Sequence, residues 1–435
     1  DEGRGHRVHR RSRGMTTADV IGPDRAKPTE EEELPSGVAG LYQRAWLNLR
    51  TGNLGPVPII VGEIAVVILF GLTATNFFTA VNFTNLINET AGTAMLAFGV
   101  VFVLLLGEID LSIGYLAGIG ALVVAELQLP GSGHQLNGMI AIVIAVAVCA
   151  VIGGVQGSIV AFVGVPSFVV TLAGFLIWQG VILNKLEQRG TIIIQDRWIN
   201  YTDSYAFSHL GGYIVAIVIT ALYPLSVLYK RVAARGTEIA QVNILGLLAK
   251  AAGIAVVAFG AVAVANHGKV IATSLGLPLS GVIVIVFLIL LTFLAKWTTF
   301  GRHVYAVGGN AEAARRAGIS VSRIRVLVFV ISGATAGIGG IIFAAQVNSV
   351  ALTFPPGNLL LNAIAAAVIG GVSLFGGRGE VRGALLGAVL IGTLQNGLNT
   401  LNVSNGWIYI ITGLVLLAAV TLDTFARRLQ MRSGR

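Results

Sequence analysis

Charge is scarce in this chain: Asp, Glu, Lys and Arg make up 11% of its 435 residues, against about 25% in soluble domains. A soluble core of that length does not hide a composition that is 55% hydrophobic. The single Cys149 excludes an intrachain disulfide and says nothing about redox compartment. A phosphate loop of the form Gly-x4-Gly-Lys-Ser/Thr is missing; the lone Gly268-Lys269 pair lacks the preceding glycine and the following hydroxyl. There is no His-Glu-x-x-His motif, no Cys/His cluster and no Gly-x-Ser-x-Gly elbow, and the six histidines are scattered. ATP hydrolysis, metal chemistry and nucleophilic catalysis therefore have no recognisable seat here, and no cofactor or metal is implied. The net charge of +9 is not gathered into a nucleic-acid footprint.

What the chain does have is hydropathy, with a mean of +0.83. Apolar runs recur at lengths that cross about 30 Å of hydrocarbon as helices, and lipid leaves the backbone no partner but its own helix. The fold expected is all-α: a polytopic transmembrane bundle of about 10–12 spans, some short or broken. The candidate spans are 57–75, 90–107, 111–128, 138–162, 167–184, 212–229, 243–265, 277–296, 323–345, 363–375, 383–401 and 407–422. Residues 1–55 are polar, carry an acidic run at Glu30–Glu33 and read as a disordered cytoplasmic tail. Residues 56–425 form the expected transmembrane domain and 426–435 a basic cytoplasmic tail. Met15 is a candidate start, so residues 1–14 are left out of the fold reasoning.

Lys and Arg set the expected orientation. With both termini inside, Lys230, Arg231, Arg235, Lys296, Arg302, Arg315, Arg316, Arg323, Arg325, Arg378 and Arg382 all fall on the cytoplasmic side. The outer loops 76–89, 129–137, 346–362 and 402–406 have neither residue. The exceptions are Lys269 and the long outer loop 185–211, with Lys185, Arg189 and Arg197. Gly153/Gly157, Gly333/Gly337 and Gly383/Gly387 fit the small-xxx-small pattern of close helix contact. A faint internal echo pairs two apolar hairpins, 90–128 and 363–401, around the polar turns GEIDLSIG (107–114) and FGGRGEVRG (375–383). On this topology both turns face the cytoplasm, as in a duplicated transporter half.

Few ionisable residues lie in or beside the spans: Glu63, Glu108, Asp110, Glu126 and Lys250. Lys250 is close enough to its helix end to snorkel, and Glu63 and Glu126 read as structural. Glu108 and Asp110 sit in the first polar turn. Asp110 is placed to cap a helix beginning at Leu111, accepting from the amides near Ser112 and Ile113; the other reading is that the turn with Ser112 shapes a translocation gate. A basic, small-residue segment, Thr299–Arg325, interrupts the apolar runs. Within it Asn310 can cap a short helix, AEAARRA is helix-forming, and Gly318 can end it. Arg302, Arg315 and Arg316 can pair with acids on a soluble partner, with Tyr305 as an amphipathic anchor. The plain alternative is a solvated loop that obeys only the charge rule.

These residues carry a family resemblance. GEIDLSIG resembles the GGIDLSVG signature of sugar permeases of the ribose/xylose type from ATP-binding-cassette importers, and Glu108 matches the xylose branch. VPSFVVTLAGFLIWQG (165–180), TFGRHVYAVGGNAEAARRAGI (299–319), NAIAAAVIGGVSLFGGRGEVRGALLGAVL (362–390) and WIYIITGLVLLAAVTLD (407–423) are similar to further landmarks, in family order. The chain departs at Gln156-Gly157, where the family usually has Asn-Gly, and that position receives no role. Segment 230–275 adds a span that ribose-type members lack and the xylose type has. The resemblance implies a multi-pass inner-membrane permease, working as a homodimer in the lipid bilayer, that imports a pentose such as xylose. It also implies a separate cytoplasmic ATPase and an extracytoplasmic sugar-binding protein as partners, with no nucleic acid. The ATPase would dock on Gly301, Arg302, Tyr305, Gly309, Asn310, Glu312, Arg315, Arg316 and Gly318. A neutral sugar needs hydrogen-bonding and aromatic side chains, and Thr171, Trp178, Gln179, Gln395, Asn396 and Asn399 are candidates for its path. Interhelical hydrogen bonding and interface anchoring are the competing uses of the same residues. Two other classes stay open at this point: a proton-coupled carrier using Glu108 or Asp110, and an intramembrane enzyme, against which the lack of clustered catalytic residues argues.

Overall fold

The computed structural model describes residues 57–131, 133, 135–233, 244–267, 269–270, 273–274, 276–355 and 357–432. The chain divides into Asp1–Asn53, which lies outside the described residues together with the tail expected there, and Leu54–Arg435, which holds everything that follows. Among the described residues seven helices are long and apolar enough to cross a membrane, and five shorter apolar helices accompany them. The expected all-α bundle is what forms.

In chain order the helices are α1 (Val57–Thr73), α2 (Ala80–Leu105), α3 (Ile113–Leu127), α4 (Gly138–Ser158, extended by a π turn over Ile159–Val163), α5 (Ser167–Arg189), α6 (Arg197–Ser204), α7 (His209–Ala233), α8 (Ile244–His267), α9 (Leu279–Trp297), α10 (Thr299–Gly309), α11 (Ala311–Arg316), α12 (Val321–Gln346), α13 (Leu359–Ile369), α14 (Val381–Thr400) and α15 (Asn405–Arg432). Three two-stranded antiparallel ribbons join their ends. β1 (Ile192–Ile193) pairs with β6 (Ser349–Val350), β2 (Ala206–Phe207) with β5 (Leu277–Pro278), and β3 (Lys269–Val270) with β4 (Thr273–Ser274).

The core gathers around α2, α3 and α12, where Phe98, Phe102, Ile113, Leu116 and Phe329 are fully buried. The glycine pairs do what their spacing predicts. Gly153 and Gly157 of α4 lie against Phe329 of α12, and Gly333 and Gly337 of α12 against Cys149 of α4. Gly383 and Gly387 of α14 lie against Gly370 and Ala366, at the end of α13. Small side chains let these backbones close on one another, which lipid alone does not drive. Cys149 is buried and free, its thiol donating to the Leu116 carbonyl at 3.4 Å.

Several boundaries differ from the hydropathy reading. The second span begins at Ala80 rather than near 90, capped by Thr79, whose hydroxyl accepts from the Asn82 amide at 3.2 Å. Residues 80–89 are polar but stay helical because the bundle supplies partners. Asn82 donates to Asn396 at 2.8 Å, and Asn88 accepts from Ser280 at 2.7 Å. The tenth span is only the 11 residues Leu359–Ile369, about 16 Å of helix or half a bilayer. From the β1/β6 ribbon the chain runs back along α3: Pro355 lies at Gly118, and Leu360 packs at Gly114 near the start of α3. The chain therefore re-enters the bundle before α13 begins. The last helix runs on to Arg432, through the start of the basic tail that the sequence set apart.

Candidate functional site

The segment expected to dock a partner is two short helices on a fixed base. Thr298 caps α10, its hydroxyl accepting from the Gly301 amide at 3.1 Å, and Gly301 is buried against the Ala295 carbonyl at the corner with α9. Val304 and Val307 face the bundle, and Phe300 stacks on Phe102 with ring centroids 6.5 Å apart. Asn310 caps α11, its Oδ1 accepting from the Ala313 amide at 2.9 Å. Gly318 ends the turn at φ +83°, a left-handed conformation that glycine adopts without strain. Gly309, Asn310, Glu312, Arg315, Arg316 and Gly318 are exposed, as is Arg302. Glu312 holds both arginines of its own helix, Arg315 at 2.9 Å and Arg316 at 3.2 Å. Tyr305 differs from its expected use: it turns inward and its hydroxyl donates to the Gly379 carbonyl at 2.7 Å. That bond ties the docking segment to its own protein.

The two polar turns meet beneath this segment. The Gly377 amide donates to the Leu105 carbonyl at 2.9 Å, joining the second turn to the end of α2. Gly308 lies in the same seam, where any Cβ would collide with the Leu105 carbonyl. Glu380 bridges Lys296 at the end of α9 and Arg382 in the first turn of α14. Burial alone would raise the Glu380 carboxyl, but Lys296 and Arg382 outweigh it and hold the group below its ordinary value.

Asp110 is the hub of the first turn. Helix α3 starts at Ile113, two residues later than expected, yet the carboxylate still takes the predicted amide: Oδ1 accepts from Ser112 N at 3.0 Å and from Ser112 Oγ at 2.7 Å. Oδ2 accepts from Ser332 Oγ of α12 at 2.9 Å. Ser112 Oγ also lies 3.1 Å from the side-chain amide of Gln156. The serine has one proton and gives it to Asp110, so the network closes when Gln156 turns its Nε2 toward Ser112 and donates. Beside the hub, Ser167 Oγ accepts from the Ile109 amide at 3.2 Å and Thr171 Oγ donates to the Ile109 carbonyl at 3.2 Å. Glu108 pairs with Arg325 at 3.0 Å. Three helices, α4, α5 and α12, thus converge on this turn. Ser332 was passed over, Gln156 was given no role and Ser167 stood only within the 165–180 landmark, because a lone polar residue in an apolar helix gives no spacing signal. Their rarity in such helices was the available clue.

The sugar-path candidates part company. Thr171 is fully buried on Ile109. Asn396 is buried between α2 and α14, accepting from Asn82 and donating to Glu89 at 3.2 Å. Glu63 of α1 joins the same helix through Thr393 at 2.8 Å. Asn399 is exposed, Gln395 and Gln179 are half-buried, and Trp178 is half-buried against the core. The structure does not bring these six side chains together. Glu126 pairs with Arg189 at 2.8 Å, and Lys250 is exposed. Among the described residues there is no group of three or more His, Cys, Asp or Glu that could hold a metal ion.

Comparison with known proteins follows this geometry. Residues 82–420 match the family model described as branched-chain amino acid transport system / permease component. The xylose transport system permease protein XylH of Haemophilus influenzae is 35% identical over 383 residues, 86% of this chain and 98% of the relative. XylH of Escherichia coli K12 is 33% identical over 386 residues, 87% of this chain and 94% of the relative. The ribose import permease protein RbsC of E. coli K12 is 32% identical over 368 residues, 83% of this chain and 92% of the relative. No solved structure matches the chain.

Proposed function

Because the chain belongs to the family of branched-chain amino acid transport system permease components, we propose that it is the membrane permease subunit of an ATP-binding-cassette importer, carrying a monosaccharide of the xylose class inward. The observation that carries this reading is the docking segment: α11 is N-capped, glycine-terminated and exposed, and it follows directly on α10, which Tyr305 and Gly308 brace against the bundle. A solvated loop needs no such base. The energy source is a separate cytoplasmic ATPase, and a sugar-binding protein delivers the cargo on the opposite face. Two copies of the permease form the transporter, in the inner membrane, with both termini and the docking segment on the cytoplasmic side. Residues 1–55 serve as a cytoplasmic tail, 56–425 as the permease domain and 426–435 as a basic cytoplasmic end.

ATP-driven closure of the ATPases moves α10 and α11. That motion reaches the first turn through the Gly308–Leu105 seam, and the Glu108–Arg325 and Asp110–Ser332 contacts pass it into α12. The carboxylates a proton-coupled carrier would use are already committed, Glu108 to Arg325 and Asp110 to two serines, which supports the ATP-driven reading. The Asn82–Asn396–Glu89 cluster supports a structural use of Asn396, while Gln395, Asn399, Trp178 and Gln179 stay available to line the path. The test is ATPase stimulation in vesicles holding the permease, a xylose-type ATPase and a sugar-binding protein. Xylose is expected to stimulate hydrolysis and ribose to do so less. Stimulation by branched-chain amino acids but not by pentoses would overturn the cargo assignment.

A further inference from the structure

Phe375 is the most exposed large hydrophobic side chain among the described residues, at 87%. Leu72, at 83%, stands on an apolar helix where lipid explains its exposure. Phe375 has no such setting. It stands on a tight polar loop, followed by Gly376, Gly377 and the exposed Arg378, with Glu380 and Arg382 beyond. Its amide is held by Ser373 Oγ at 3.2 Å, and the Ser373 amide donates to the Arg378 carbonyl at 2.9 Å, so the loop is folded. The loop is also locked to the docking helices. Gly377 lies against the backbone of Gly309, Gly376 against the Gly308 carbonyl, and Tyr305 holds the Gly379 carbonyl. Phe375 therefore projects from a base continuous with the exposed end of α10 and the start of α11.

We infer that Phe375 is a second docking element: an aromatic knob that enters a pocket of the soluble ATPase beside the cleft that takes α11. This rests on the reading of the chain as an ATPase-coupled permease. An exposed aromatic with a cationic neighbour suits a protein pocket, because buried aromatic anchors carry a large share of interface energy. Lipid contact instead calls for a continuous apolar face; here Leu374, at 37%, is the exposed apolar neighbour, and two glycines and Arg378 follow. The exposed Arg378 beside it calls for an acidic group at the rim of that pocket.

The one native thiol, Cys149, is buried, so labelling is clean in a Cys149→Ala background. Two variants are compared, Phe375→Cys and Glu312→Cys, each in inside-out vesicles with a membrane-impermeant maleimide, with and without a co-expressed xylose-type ATPase subunit. The ATPase is expected to slow labelling at 375 and 312 alike. Phe375→Ala is expected to weaken ATPase binding by about 30-fold, with Phe375→Trp close to the parent. Protection at 312 without protection at 375 sinks the knob and leaves the permease reading standing. Protection at neither position removes both. A 375 thiol that is unreactive before any ATPase is added means that lipid or a second permease copy covers it, and that too overturns the inference.

Discussion

The turns Gly107–Gly114 and Phe375–Gly383 look alike in sequence, each a polar break between apolar helices, and fold to opposite ends. The first turns inward. Its carboxylate is buried and bonded, and polar side chains from α4, α5 and α12 close on it. The second turns outward. Its polar side chains form exposed ion pairs around Glu380, and its aromatic stands in solvent. The backbone hydrogen bond from Gly377 to Leu105 joins them. The difference fits the two roles proposed for these turns. A turn that passes motion into the bundle needs every polar group paired, because loose polar groups inside are costly. A turn that meets a partner needs a rigid backbone and free side chains.

The comparison breaks most severely at the inner turn. Asp110→Ala leaves the hydroxyls of Ser112 and Ser332 and the Ser112 amide without their acceptor, and is expected to cost about 3 kcal/mol with loss of transport. Thermal unfolding in detergent reads this directly, and a variant as stable as the parent would mean the hub bears no load. Gly308→Ala forces the seam between the turns apart, at about 2 kcal/mol. Here transport should fall further than stability does, and uptake measured beside melting separates the two. Tyr305→Phe removes one hydrogen bond to the outer turn, worth about 1 kcal/mol, and should accelerate hydrogen exchange over 375–380 without touching 109–112. Acid should loosen the outer turn. The Glu380 carboxyl is lowered by its cations, so the stability it brings is present at neutral pH and fades as the pH falls through its folded value. Glu380→Gln should abolish that dependence, as exchange rates across an acid titration would reveal. The smallest effect on stability belongs to Glu312→Arg, at about 0.5 kcal/mol or less since its pairs are exposed; yet it should uncouple ATP hydrolysis from uptake, because it reverses charge on the docking face.

Much of this was legible in the chain. Helix length and hydropathy gave the twelve apolar segments, and glycine spacing gave three of their close contacts. Asn310 and Gly318 announced α11, since caps act through local backbone geometry. The extent of α2 was not legible: residues 80–89 are helical only because Asn396 and Ser280, distant in sequence, complete their hydrogen bonds. Nor was the inward turn of Tyr305, which depends on a carbonyl 74 positions away. Gln156 was set aside as a departure from the family pattern, yet it sits at the hub, where a side chain one methylene longer than Asn reaches Ser112.

The most direct test is sugar uptake into vesicles holding this chain and a sugar-binding protein, measured with and without the ATPase and with Glu312→Arg in place of the parent. Uptake should need both the ATPase and ATP, and the variant should hydrolyse ATP without moving sugar. Uptake by the chain alone, unaffected by ATP and abolished by an uncoupler, would contradict the assignment of the motor to a docked partner.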